Sequence, residues 1–214
     1  MSENLTLQEL DARTAVYDYL LCVDLEATCD EVLEPEAPRA LVVMPDEMET
    51  IEVGMVVLDL RTLNKIGSFQ RYVRPTLHPQ LTPFCIKFTS IQQVDVDAAE
   101  TFGRVAEEVA TFLARYPTAA WASWGHYDAD QLDADAARSG CITAFSALEY
   151  FDVEEIHRNA FASPSMGLRL AAETLGLGWS GRYHRGIDDA ENLANVVACL
   201  LTQARRSSVV NPQA

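Results

Sequence analysis

Apolar residues follow two different periods along this chain. The run Val16-Tyr17-Asp18-Tyr19-Leu20-Leu21-Cys22-Val23 has the length and β-prone composition of a buried strand, set at 16 to 25. Ile51–Asp59 and Ser68–Val73 predict two more strands, and the Leu60–Lys65 segment between them allows a hairpin. Phe102, Val105, Val109, Phe112 and Leu113 recur at helical spacing and predict a helix from Ala99 to Tyr116, which Pro117 ends. Thr118–Ser123 reads as a fourth strand, and the Trp124-Gly125 turn leads into a helix from Tyr127 to Ser139. A short strand at Leu148–Phe151 and helices at Val153–Asn159, Ser165–Leu175 and Asp188–Arg205 follow. Strands in hairpin order, then strands alternating with helices, predict an α/β fold with a mixed sheet flanked by helices.

The segments between these elements are polar. Residues 1–15, with scattered leucines, allow a short helix or a loose arm. Asp30–Asp46 is acidic and carries Pro35 and Pro38, so it reads as a surface loop, although Arg39–Met44 within it is apolar enough to dock. Pro75, Pro79 and Pro83 mark another loop region. At 214 residues and 49% hydrophobic content the chain suits one domain, 16–206, with an N-terminal arm at 1–15 and a flexible tail at 207–214. No internal repeat is visible. No apolar run approaches the roughly 20 residues of a membrane span, and the N-terminus has neither the basic start nor the apolar stretch of a secretory signal. No membrane partner and a cytoplasmic location are the expectation. Five scattered cysteines without a C-x-x-C pair argue against disulfides and a zinc site.

Charge complicates the chemistry. With 32 acids and 16 basic residues the formal net charge is −16, which disfavours tight, non-specific binding to long duplex DNA. In so acidic a chain an acid-x-acid pair is expected several times by chance. Asp24 and Glu26 differ in context, because they close the apolar first strand. Residues two apart on a strand share a face, so both carboxylates can converge on one hard cation. Asp128 lies in the first turn of a helix that follows a strand, where open α/β sheets gather ligands. Asp189 begins the last helix, and His184 precedes it on the glycine-flanked Gly181–Gly186 loop. Four carboxylates suit two divalent cations, Mg²⁺ or Mn²⁺, and a histidine near its ordinary pKa suits removal of a proton from water. That set points to phosphodiester hydrolysis.

These motifs resemble the DEDDh 3′-5′ exonucleases, in the branch of the Eri-1-like and KapD-like proteins. Val23–Asp30 looks like the first exonuclease motif. Arg71–Pro75, Phe84-Cys85 and Phe88–Ile91 resemble the middle segment, Trp124–Asp128 the second motif, and His184–Ala190 with Asn192 and Ala194 the third. The resemblance runs from about residue 17 to 203 with the motifs in the family's order. It implies a ribonuclease H-like fold with a five-stranded mixed sheet, and active residues at Asp24, Glu26, Asp128, His184 and Asp189. The third-motif spacing selects Asp189 over Asp188. It implies that Ala27-Thr28 and the Phe88–Ile91 loop, including Thr89 and Ile91, cradle the terminal nucleotide. Ser90 stands where the branch commonly has glycine, and Tyr127 where it commonly has tryptophan.

The activity implied is metal-dependent release of nucleoside 5′-monophosphates from single-stranded 3′ ends, RNA favoured over DNA, with His184 as general base. A DNA-directed repair enzyme and a regulatory protein that keeps the fold are the alternatives, and family analogy allows a homodimer. A structural role gives no reason to bury mutually repelling carboxylates. Outside the motif residues, Glu52 reads as an edge-strand acid, with contact to the terminal sugar as the alternative. Phe88 suits base stacking or core packing. Trp121 and Trp124 read as core, Asp188 as a helix cap or supporting residue, and His126 as an exposed loop histidine. His78 and His157 read as surface or packing residues. Arg169, Arg182 and Arg185 either supply a basic rim or lie on a solvated face, with Arg185 the candidate for substrate contact.

Overall fold

In the computed structural model, which describes residues 6–31 and 39–210, the early β-prone run forms β1 (Tyr19–Ala27), the middle strand of five. β2 (Thr50–Asp59) pairs antiparallel with β1, and β3 (Lys65–Tyr72) pairs antiparallel with β2 through the expected hairpin. β4 (Ala119–Ser123) and β5 (Tyr150–Asp152) add in parallel on the other side, giving the order β3-β2-β1-β4-β5. This is the five-stranded mixed sheet implied above.

Both faces of the sheet are covered, and β1 shows how. Its alternation sends Leu20 and Cys22 into one core and Leu21, Val23 and Leu25 into another. The second core is closed by α4 (Phe102–Leu113), whose Phe102, Val105, Val109 and Phe112 are buried, and by Leu132 of α5 (Tyr127–Ser139). The first is closed by α8 (Gly186–Val210), which buries Leu193, Val196, Val197, Leu200 and Leu201 against the sheet. Each such side chain contributes roughly 1.5–3 kcal/mol by leaving water. Leu10 of α1 (Leu7–Thr14), Ile156 of α6 (Val153–Phe161) and Leu168 of α7 (Leu168–Thr174) join that core.

Several expectations shift. The N-terminal segment is a docked helix: Thr6 and Glu9 form a capping box, and Arg205 Nε reaches Asp11 at 2.8 Å. In the loop region Pro83 starts α2 (Pro83–Thr89) behind a Thr82 cap, and α3 (Gln93–Asp97) follows. Proline is welcome at the first helical position, where its missing N–H costs nothing. Of the apolar stretch 39–44 only Val43 is buried, while Val42 and Met44 stay exposed. α8 runs on to Val210, into the expected tail, and 1–5, 32–38 and 211–214 lie outside the described residues. β2 is an inner strand, so Glu52 is not an edge-strand acid. Among the described residues no helix is long and apolar enough to cross a membrane.

Candidate active site

The pleat of β1 places Asp24 and Glu26 on the face shared with Leu20 and Cys22, the side of α8. β4 pairs with β1 only as far as Cys22, so β1 runs on past its parallel neighbour. The Leu25 N–H, left without a strand partner there, donates to Asp128 Oδ1 at 2.8 Å. Asp128 is the second residue of α5, and its carboxylate also gains from the positive end of that helix.

The third motif is brought in by a close backbone approach. A Cβ on Gly54 would lie 2.0 Å from the Gly186 carbonyl carbon, and one on Gly186 would lie 3.0 Å from the Asp24 carbonyl oxygen. Two bare backbones therefore let the start of α8 sit directly on the sheet beside Asp24. His184 has φ 61, in the left-handed region, and in that conformation its N–H donates to Asp189 Oδ2 at 3.0 Å. The His184 ring stacks on Phe88 with centroids 3.8 Å apart, and Tyr183 flanks it at 3.9 Å.

Electrostatics in this space are dominated by burial and repulsion. Burial first, then Asp128, Asp189 and Glu26, push Asp24 well above the usual carboxylate range. Burial and the neighbouring Asp189 and Glu52 push Glu26 up to about 9. Asp128 and Asp189 are pushed up to about 7, again mainly by burial, with the Leu25 and His184 N–H groups pulling the other way. Burial draws His184 below the usual histidine value, toward the neutral ring. Ligand atoms of Glu26, His184 and Asp189 lie within 4.8 Å of one another, and Asp189 Oδ1 is buried without any hydrogen-bond partner. A buried acceptor left open among hard oxygen donors fits Mg²⁺ or Mn²⁺.

All five candidate active residues line one cleft of about 290 Å³, together with Leu25, Ala27, Cys29, Met48, Phe88, Trp124, Tyr127, Gly167, Leu168 and Tyr183. Ala27 and Phe88 thus face the place expected of them. Thr28, Thr89 and Ile91 do not turn their side chains to it. Thr28 Oγ1 accepts the Glu49 N–H at 2.9 Å, Thr89 Oγ1 donates to the Cys85 carbonyl at 2.9 Å, and Ile91 is fully buried with Ile51, Leu81, Cys85 and Val96. These three shape the loops behind the cleft. Ser90 holds φ 68 at the end of α2, a left-handed conformation that favours glycine. Arg185, expected at the substrate, spends its guanidinium on Glu52 and the Tyr72 hydroxyl.

Other side chains resolve simply. His126 is exposed and lies 3.8 Å from Asp152. Asp188 accepts the Arg182 N–H at 2.8 Å, a supporting role. His78 pairs with Glu47, and His157 is buried between Trp124 and Phe161. Trp121 is core; Trp124 packs against the core, donates to the Met166 carbonyl and also walls the cleft. Cys29, Met48, Gly167, Leu168 and Tyr183 are not among the sequence candidates; Cys29, next to Thr28, and Tyr183, next to His184, have neighbours that mark them. All five cysteines are free.

Comparison with known proteins agrees with this geometry. The model of the exonuclease family (RNase_T) matches residues 21–197. Human 3′-5′ exoribonuclease 1 is 30% identical over 209 residues, covering 93% of this chain. The chain spans 57% of the length of that relative. The crystal structure of the nuclease domain of 3′hExo, a DEDDh family member, bound to rAMP, has a TM-score of 0.76 at 30% identity, covering 87% of this chain and 93% of that one. The structure describing 3′-end recognition of a histone mRNA stem-loop by 3′-exonuclease has a TM-score of 0.76 at 31% identity, over 88% of this chain and 65% of that one. With the family model covering most of the chain and the four carboxylates and histidine gathered in one cleft, the chain belongs to the exonuclease family, in its DEDDh branch with the ribonuclease H-like fold.

Proposed function

We propose that this chain is a metal-dependent 3′-5′ exonuclease that hydrolyses single-stranded nucleic acid from its 3′ end, RNA in preference to DNA, releasing nucleoside 5′-monophosphates. The observation that carries this reading is the convergence of Asp24, Glu26, Asp128, His184 and Asp189 on one cleft. Asp24, Glu26, Asp128 and Asp189 would hold two divalent cations, Mg²⁺ or Mn²⁺. When bound, such ions polarise the phosphate, acidify a water and stabilise the leaving 3′-oxygen.

The side chains divide the remaining work. His184, on the cleft side of Phe88, presents a ring nitrogen near Glu26 and Asp189 and takes the proton of the attacking water there. Asp128 and Asp189 are held at helix starts by backbone N–H donors, so their orientation is set before substrate arrives. Tyr127 offers exposed ring surface at the cleft for the terminal base, whereas Phe88, stacked with His184 and Phe84, offers its exposed edge. RNA is favoured because the similar human protein is an exoribonuclease and the similar nuclease domain binds rAMP.

With Mg²⁺ or Mn²⁺, purified protein should degrade single-stranded RNA from its 3′ end to mononucleotides, and Asp24→Ala or Asp189→Ala should abolish this. Mutants as active as the wild type would refute the assignment. Parallel assays on DNA of the same sequence decide the preference, and faster cutting of DNA would reverse it.

A further inference from the structure

Glu52 is fully buried on β2, yet it does not line the cleft. The strand register puts it beside Glu26 on one side and Tyr72 on the other. A carboxylate shut off from water must find its partners in the protein. Glu52 finds three: Gln70 Nε2 donates at 3.0 Å, Arg185 Nε at 3.2 Å and the Gly186 N–H at 3.2 Å. Gly186 is the first residue of α8, so the sheet supplies an acceptor for one of the N–H groups that a helix start leaves without an intrahelical partner. The missing Cβ of Gly54 lets that backbone approach, and the Glu52 carboxylate ties it down. His184 lies one residue before Arg185, in the left-handed conformation that a loosely held loop would relax from. Packing alone does not account for an acid here. Glu52 adds repulsion to Asp24, Glu26 and Asp189, and what offsets that cost is the Arg185 guanidinium and the Gly186 N–H that it holds.

We propose that Glu52 is a positioning residue that fixes the Arg185-Gly186 corner and through it the placement of His184 at the cleft. This rests on the reading of His184 as the base. Glu52→Gln keeps the size and an acceptor for Gly186 while removing the charge that holds Arg185. In this variant kcat should fall by about tenfold or more with KM and Mn²⁺ affinity changed less than about twofold. Amide hydrogen exchange at 183–187 should speed up about tenfold, with no change in β1. In a His184→Ala background the same substitution should cost less than about twofold, because the group it positions is gone.

Unchanged exchange at 183–187 would overturn the proposal. So would an equal rate loss in the His184→Ala background, or a large loss of Mn²⁺ affinity. If His184→Ala alone keeps its rate, the base assignment fails, and exchange at the corner decides the anchor separately. Should Glu52→Gln not fold, Glu52→Gln with Arg185→Met removes both charges together, and the same readouts apply.

Discussion

Phe88 and His184 lie face to face, their ring centroids 3.8 Å apart and their planes 29° apart, with Phe84 stacked behind at 5.4 Å. One face of the Phe88 ring is thus committed to the imidazole, while 42% of the residue remains exposed at the cleft. Phe88 therefore bears on the placement of His184 and leaves its edge open to the cleft. Phe88→Leu keeps apolar bulk and loses the stack, which is worth about 0.5–1.5 kcal/mol. The variant should lower kcat and raise KM on single-stranded RNA in steady-state assays. A change in KM alone would show that the stack on His184 does not contribute to the chemical step.

The contact of Gly54 with Gly186 leaves no room for a side chain. Gly54→Ala puts a Cβ against backbone, which cannot yield as a flexible side chain can, and should destabilise the fold by about 1–3 kcal/mol. Because the displaced segment is the start of α8, activity should fall further than the melting temperature explains. Thermal melts and single-turnover rates on the same preparation check both halves.

Ser90 offers the opposite case. Its φ of 68 costs a residue with a Cβ about 1 kcal/mol, and its buried hydroxyl has no hydrogen-bond partner. Ser90→Gly should raise stability by about 1 kcal/mol in urea denaturation and leave the carboxylate cluster undisturbed. A loss of stability would mean that the hydroxyl has a partner in solution.

The parts of this site that were legible in the sequence are those whose geometry is local. Asp24 and Glu26 share a face because strand side chains alternate, and Asp128 stands at a strand-to-helix turn that its neighbours spell out. Glu52 was misread because its surroundings depend on which strands flank β2 and on a loop more than a hundred residues away. Thr28 and Thr89 neighbour residues that line the cleft, but Thr28 and Ile91 lie in irregular backbone with no period to read, and Thr89 closes a helix that the sequence pattern does not reveal. α2 is hidden because proline signals both the end of one helix and the start of another, and the five-residue α3 is too short to show a helical period. Met48 walls the cleft only through the tertiary path of the loop that joins β1 to β2.

The four carboxylates make the metal-free protein less stable than its packing allows. Burial and mutual repulsion raise the cost of each charge, so neutralising one relieves the others. Asp24→Asn in excess chelator should melt about 2–4 °C above the wild type while losing activity. Mn²⁺ at about 100 times the Kd of a site should stabilise the wild type by about 2.7 kcal/mol for each site filled, and the variant by clearly less. Scanning fluorimetry with and without metal measures both. A variant that melts below the wild type in chelator would contradict the repulsion argument.

Glu49 carries an acid-sensitive part of the stability, apart from the carboxylates that line the cleft. Its carboxylate accepts the N–H groups of Thr76 at 2.7 Å, Leu77 at 2.9 Å and His78 at 2.9 Å, and the Thr76 hydroxyl at 3.0 Å. Burial pulls its pKa up, but these hydrogen bonds outweigh burial and the net direction is down from the ordinary 4.5. The unfolded chain therefore binds the proton more readily than the folded one. The stabilisation is complete above the unfolded value and is lost as pH falls through the folded one. Glu49→Gln should be less stable than the wild type by about 1–2 kcal/mol near neutral pH, because an amide is a weaker acceptor than a carboxylate. The gap should narrow as the pH is taken below about 4, where the wild-type carboxylate takes up its proton. Urea denaturation of both proteins across that range gives the answer. A gap that stays constant with pH would assign the effect to shape and packing instead of charge.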